Sequence, residues 1–234
     1  METTLIAIVP AAGIGARAAA GDGVPKQYRQ IAGEAVLRRT VRALLAEPRI
    51  TQVRVAVSAQ DGWVEDALAG LPRTVWRACG GPTRAATVRA ALRDADLLPD
   101  VWVMVHDAAR PGLPGEVLAR LIDACYEHGR GGLLAMPVTD TVKRADASGA
   151  VAQTLDRDGL WLAQTPQMFR AGELLDALEA SADDARVTDE ASAMELAGPE
   201  GTAPLLVPGA RSNAKLTWAE DFEWLDMWFS RSKQ

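Results

Sequence analysis

The sequence has only two cysteines, Cys79 and Cys125, both inside apolar runs and without C-x-x-C spacing. That excludes a disulfide scaffold and points to reduced, packed thiols. Histidine is equally scarce, with two residues, and no Walker-type G-x-x-x-x-G-K-[ST] occurs. No apolar stretch approaches the roughly 18 to 20 residues that span a bilayer. Positive charge is in deficit: 25 Lys and Arg face 31 Asp and Glu, a net charge of −6, which argues against a nucleic-acid binder, whose surface is usually basic. A polyanionic nucleotide can still be held by a few local cations. Met1-Glu2-Thr3-Thr4 lacks the basic stretch of a signal peptide, and its apolar run stops at Pro10-Ala11-Ala12-Gly13, so the expectation is a soluble, cytoplasmic protein. Repeats and low-complexity tracts are absent.

What is present is an alternation of strand-length apolar runs with helical patterns. The runs are Leu5 to Val9, Val53 to Val57, Val75 to Cys79, Val101 to Val105 and Leu133 to Val138. Their continuous hydrophobicity predicts strands covered on both faces, hence a mostly parallel α/β sheet. Between them, Leu37, Val41, Leu44 and Leu45 mark one helix and Val88, Ala91, Leu92 and Ala95 another. A C-terminal helix is predicted from the capping box Thr217-x-x-Glu220, with Trp218, Phe222, Leu225 and Phe229 on its core face. The 234 residues fit one domain, 1–234. Thr139 to Gly159, with its Gly149 turn, reads as a hairpin leaving the sheet, and an isolated hairpin is marginal unless it packs on something.

The first strand feeds PAAGIGAR (Pro10 to Arg17) and then PKQY (Pro25 to Tyr28). Small residues and glycines let backbone N–H groups approach an anion, and Arg17 and Lys26 add charge, which is the chemistry of a nucleoside triphosphate site. Gly13, Gly15 and Ala18 also satisfy the dinucleotide pattern G-x-G-x-x-G/A. That pattern requires a helix from the second glycine and an acid about 20 residues on. Gly21, Gly23 and Pro25 instead stop any helix within two turns, and the next strand candidate is far downstream, so a dinucleotide-dependent oxidoreductase is a distant alternative.

Four further segments complete a pattern across nearly the whole chain: GGPTRAATV (Gly80 to Val88), VHDAARP (Val105 to Pro111), PVTDTVK (Pro137 to Lys143) with LWLAQTPQMF (Leu160 to Phe169), and TDEASA (Thr188 to Ala193) with NAKLT (Asn213 to Thr217). In this order they closely resemble the 2-C-methyl-D-erythritol 4-phosphate cytidylyltransferases of the non-mevalonate isoprenoid pathway. The resemblance implies a single-domain, Rossmann-like nucleotidyltransferase fold with a protruding β-arm. It implies Mg²⁺-assisted transfer of CMP from CTP to methylerythritol phosphate, with release of pyrophosphate.

Carried over by motif, Arg17, Lys26 and Lys215 are the catalytic cations. Ala11, Ala12, Gly13, Gly15, Gly81, Arg84 and Thr87 bind CTP, and Asp107, Ala108, Thr141, Arg157, Thr188 and Lys215 bind the acceptor. Asp107 has a second candidate role as a metal ligand, although a Mg²⁺ held mainly by triphosphate oxygens and water is the safer expectation. His106 is expected to be structural. The resemblance also implies a homodimer in which the arm, 139–159, brings Thr141 and Arg157 to the neighbouring subunit's site. The loop between Arg17 and Pro25 departs from the family pattern, being slightly long and rich in Ala and Gly. A ribitol-5-phosphate cytidylyltransferase shares almost all of these motifs and stays open as the alternative.

Overall fold

The structure, a computed structural model, describes residues 4–13, 23–198 and 203–231. In chain order the strands are β1 (Leu5–Pro10), β2 (Gln30–Ile31), β3 (Glu34–Ala35), β4 (Ile50–Ala56), β5 (Thr74–Arg77), β6 (Trp102–Val105), β7 (Gly132–Pro137), β8 (Val142–Ala145), β9 (Val151–Leu155), β10 (Trp161–Arg170) and β11 (Leu205–Pro208). The helices are α1 (Val36–Leu45), α2 (Val64–Leu68), α3 (Arg84–Ala95), α4 (Gly115–His128), α5 (Ala171–Ala180), α6 (Glu190–Ala197) and α7 (Ala219–Arg231). None is long and apolar enough to cross a membrane among the described residues.

Among the described residues the main sheet runs β11-β7-β10-β6-β1-β4-β5. β1 is parallel to β4 and β6, β4 to β5, and β7 to β11, whereas β10 is antiparallel to both of its neighbours. The expected mostly parallel α/β sheet is therefore the one observed. β1 shows why its sequence is apolar throughout. Leu5, Ala7 and Val9 face a core shared with Leu37 and Leu44 of α1 and Leu118 and Leu121 of α4, while Ile6 and Ile8 face Val88 and Leu92 of α3 and Leu174 of α5. Both faces being covered, period-2 alternation disappears.

Two sheet strands lie outside the expected set. β10 carries Gln164, Thr165 and Gln167 in its middle, where its register with β7 shifts, so its sequence does not read as a plain strand. β11 is four residues long. The C-terminal helix is where it was expected, but its start is held differently: the Asp221 carboxylate accepts from the N–H groups of Thr217 (2.6 Å) and Trp218 (2.7 Å) in place of a Thr217 and Glu220 box. Phe222 and Leu225 are buried against Ile31 and Leu216, and Phe229 packs beside them, whereas Trp218 is exposed rather than on the core face. β8 and β9 form their own two-stranded antiparallel sheet, exposed along nearly its whole length, as the hairpin reading of Thr139 to Gly159 requires.

Candidate active site

In an open α/β sheet the crevice for ligands lies beyond the carboxyl ends of the strands, where connections reverse direction. Here the chain moves from β1 outward to β4 and β5 and then returns to the other side of β1 as β6. Pro10 ends β1 and Ala11–Gly13 follow it, Gly81–Arg84 follow β5, and Asp107–Ala109 follow β6. Together with Lys26, Gln27, Thr87 and Lys215 they line one cleft of roughly 460 Å³.

Each wall of the cleft has a local cause. The Ala11 N–H donates to Ala56 O (2.7 Å), continuing the β1 ladder past the strand end. The buried Gln27 amide donates from Nε2 to Ala11 O (2.9 Å) and Gly13 O (3.2 Å), which ties the Lys26–Tyr28 3-10 turn to the β1 loop. Gly80 packs so closely that a Cβ there would overlap that of Ala12. The Thr87 hydroxyl is occupied in shaping its own loop, lying 2.9 Å from Thr83 O and accepting from the Gly81 N–H at 3.1 Å. Lys26 Nζ donates to Leu216 O (3.0 Å), so the PKQY turn rests on the NAKLT segment beside Lys215.

Asp107 is the hub. Its Oδ1 accepts from Arg84 Nε (2.8 Å), and its Oδ2 meets Lys215 Nζ (2.8 Å) and Arg110 Nε (3.5 Å). Burial alone would raise its pKa, but Arg84, Lys215 and Arg110 together outweigh burial and hold the carboxyl well below the usual range. Arg84 carries its charge onward, with Nη1 and Nη2 forked on Glu190 at 2.6 and 2.9 Å. Three cations, Arg84, Arg110 and Lys215, thus surround two carboxylates, and with Lys26 also lining it the cleft stays positive in a chain that is acidic overall.

His106 belongs to the frame. Arg110 O can only accept, so His106 Nε2 carries the ring proton and donates to it (3.1 Å). Nδ1 of the neutral ring therefore accepts from the Thr165 hydroxyl (3.0 Å), which itself accepts from the Asp107 N–H (3.0 Å). Burial pushes this imidazole down to about 4, so it is neutral and structural near neutral pH. The buried Asn213 also serves the frame, donating to Thr165 O (2.7 Å) and accepting on its own carbonyl from Arg110 Nη1 (2.7 Å).

Of the residues expected from sequence, Ala11, Ala12, Gly13, Lys26, Gly81, Arg84, Thr87, Asp107, Ala108 and Lys215 all line the one cleft. Gly15 and Arg17 lie outside the described residues, as does most of the 18–24 loop. Thr188 lines a neighbouring cleft of roughly 410 Å³ that shares Thr83 and Arg84 with the first. Thr141 and Arg157 sit on the exposed arm, where Arg157 Nη1 donates to Thr139 O, and they are not brought into the cleft of their own chain. Gln27, Arg110, Thr165, Glu190 and Asn213 were not singled out. Each lies inside a segment of the pattern, but polar neighbours such as Lys26, Gln164, Asp189 and Ser212 leave it without a signal of its own.

The profile of the IspD family, 2-C-methyl-D-erythritol 4-phosphate cytidylyltransferase, matches residues 5–231. The chain belongs to this family. Among its relatives, the 2-C-methyl-D-erythritol 4-phosphate cytidylyltransferase of Bordetella pertussis (strain Tohama I) is 65% identical over 231 residues, covering 97% of this chain and 100% of that protein. The one from Vibrio vulnificus (strain CMCP6) is 45% identical over 234 residues, covering 99% and 97%. A crystal structure of 4-diphosphocytidyl-2C-methyl-D-erythritol synthase superposes with a TM-score of 0.83 at 37% identity, covering 98% of this chain and 99% of that one. The Francisella tularensis IspD structure gives 0.81 at 33% identity, covering 96% and 99%. IspD membership makes the chain a nucleotidyltransferase and sets the oxidoreductase alternative aside.

Proposed function

We propose that this chain transfers CMP from CTP to 2-C-methyl-D-erythritol 4-phosphate, giving 4-diphosphocytidyl-2-C-methyl-D-erythritol and pyrophosphate in isoprenoid precursor synthesis. The observation that carries the reading is the gathering of Lys26, Lys215, Arg84 and Asp107 around one positive cleft at the switch point of the sheet.

An oxygen of the acceptor phosphate attacks the α-phosphorus of CTP; the new P–O bond forms as the bond to the β-phosphate oxygen breaks and pyrophosphate leaves. A phosphate monoester has its second pKa near 6, so this nucleophile is already largely dianionic and needs no general base. The barrier is instead the meeting of two anions and the charge gathered on the five-coordinate phosphorus. Lys26, Lys215 and Arg17 are assigned to that charge. Ala11, Ala12, Gly13, Gly15, Gly81 and Thr87 are assigned to CTP, the small residues after β1 and β5 admitting the base and phosphates closely. Arg84 joins them as a wall of the cleft. Asp107, Ala108, Lys215 and Thr188 are assigned to the acceptor from the same chain.

When bound, Mg²⁺ would shield the triphosphate charge. The protein's donor set does not fit a metal cage, because no cluster of three metal-ligating side chains occurs among the described residues and Asp107 is already engaged by three cations. The dication is therefore assigned to triphosphate oxygens and water rather than to Asp107. The arm is read as the contact of a homodimer, with Thr141 and Arg157 completing the partner's acceptor site. Free thiols at Cys79 and Cys125 fit a reducing, cytoplasmic setting. Initial rates of pyrophosphate release from CTP and Mg²⁺, with each phosphorylated polyol in turn, test the reading. Release that depends on methylerythritol phosphate supports it, and release with no acceptor or with ribitol 5-phosphate alone contradicts it.

A further inference from the structure

Glu190 lines neither cleft, yet it is the first residue of α6 and solvent reaches none of it. Burial raises its pKa, opposed by the Arg84 guanidinium that forks onto both of its oxygens. Buried ion pairs are weak stabilisers, because the cost of removing two charges from water offsets their attraction. Stability alone therefore gives no reason for a carboxylate here, and the geometry does.

The guanidinium is planar and has three nitrogens. Two are fixed on Glu190, which leaves Nε aimed at Asp107 Oδ1 at 2.8 Å. The two oxygens of Asp107 consequently live in different surroundings. Oδ1 is held by a guanidinium that cannot turn without breaking its fork. Oδ2 is held by Lys215, whose side chain keeps 41% of its exposure and sits on a flexible stem, with Arg110 Nε further away at 3.5 Å.

We propose that Glu190 is a positioning residue for the acceptor. It pins Arg84, Arg84 pins Asp107 by Oδ1, and Oδ2 becomes the acceptor atom for a polyol hydroxyl once Lys215 turns from Asp107 to phosphate. This rests on the cytidylyltransferase reading above. It also gives Arg84 a duty different from triphosphate binding, since two carboxylates compensate its charge while Lys26 and Lys215 serve the phosphates.

The test is Glu190→Gln, which keeps the side chain's size and removes the charge that holds the fork. Released from Glu190, Arg84 draws on both oxygens of Asp107. The acceptor KM should then rise about tenfold, the worth of one hydrogen bond to a charged group, while the KM for CTP stays within about threefold. A merely structural role would lower kcat through the active fraction and leave both KM values alone, and that result overturns the proposal. A second comparison sets Arg84→Gln against Arg84→Gln with Glu190→Gln, a pair that removes both charges together and remains informative where Glu190→Gln alone does not fold. Because the effect passes through Arg84, adding Glu190→Gln should leave the acceptor KM of Arg84→Gln unchanged, and a further rise there overturns the proposal. Wild-type enzyme that turns over no phosphorylated polyol would instead overturn the functional reading beneath it.

Discussion

Lys26 reaches the cleft from a short turn that is held twice, by its own Nζ on Leu216 O and by the Gln27 amide on the β1 loop. In the role proposed for it, its charge acts most strongly on what develops at the α-phosphorus, so Lys26→Ala should lower kcat far more than it weakens CTP binding. The expected loss is about 100-fold or more, comparable with removing one oxyanion donor, and steady-state kinetics check it. A change below threefold would remove Lys26 from the transition state. His106 makes a different prediction. Its folded pKa is depressed from 6.5 to about 4, so between those values the unfolded chain binds a proton that the folded one refuses. Stability from this group is full above pH 6.5 and is lost as pH falls toward 4, by about 3 kcal/mol in all. Urea denaturation of wild type and His106→Gln at pH 4.5, 5.5 and 7 should show this slope in the wild type alone, and equal slopes would contradict the neutral, buried imidazole.

Among the elements, the β8–β9 arm is the one whose sequence asks for a partner, because nearly all of it is exposed and its acceptor-matching residues are not in its own chain's cleft. Arg157→Ala should raise the acceptor KM strongly with CTP affinity near normal. Mixed dimers of Arg157→Ala and Lys26→Ala chains, each inactive alone, make the sharper test. If the arms cross as proposed, the Lys26→Ala chain lends its intact arm to the intact nucleotide site of the Arg157→Ala chain, and activity should return to about half of wild type per heterodimer in a closed two-fold dimer. No recovery in verified heterodimers would mean that Arg157 serves its own subunit or none. The arm was legible because Gly149 and the β-prone Val151 to Leu155 interrupt the helix and strand rhythm. β1, β6 and β7 were legible because burial on both faces makes their sequences apolar throughout, and β4 by Val53, Val55 and Ala56 despite Arg54 between them. β10 was not, since Gln164, Thr165 and Gln167 spend their side chains on the frame behind Asp107 and erase the strand pattern. The same holds for Trp218: its spacing placed it with Phe222 and Leu225, but Asp221 sets where the helix begins and leaves Trp218 outside.

Over the whole molecule, one sheet brings together residues as far apart as Ala11 and Lys215, and every residue lining the cleft comes from one of the motifs. Their partners were harder to read. Glu190 and Arg110 sit within those motifs, yet only the fold shows Glu190, from α6, gripping the Arg84 that holds Asp107, and Arg110, from the loop after β6, meeting Asp107 itself. The cleft is proposed to transfer CMP from CTP to methylerythritol phosphate. That transfer is tested most directly by giving the enzyme CTP, Mg²⁺ and equal concentrations of 2-C-methyl-D-erythritol 4-phosphate and ribitol 5-phosphate, and measuring both cytidine diphosphate products by mass spectrometry. The expected dominant product is 4-diphosphocytidyl-2-C-methyl-D-erythritol, formed one for one with pyrophosphate. A dominant ribitol product, or pyrophosphate without either conjugate, would contradict the proposal.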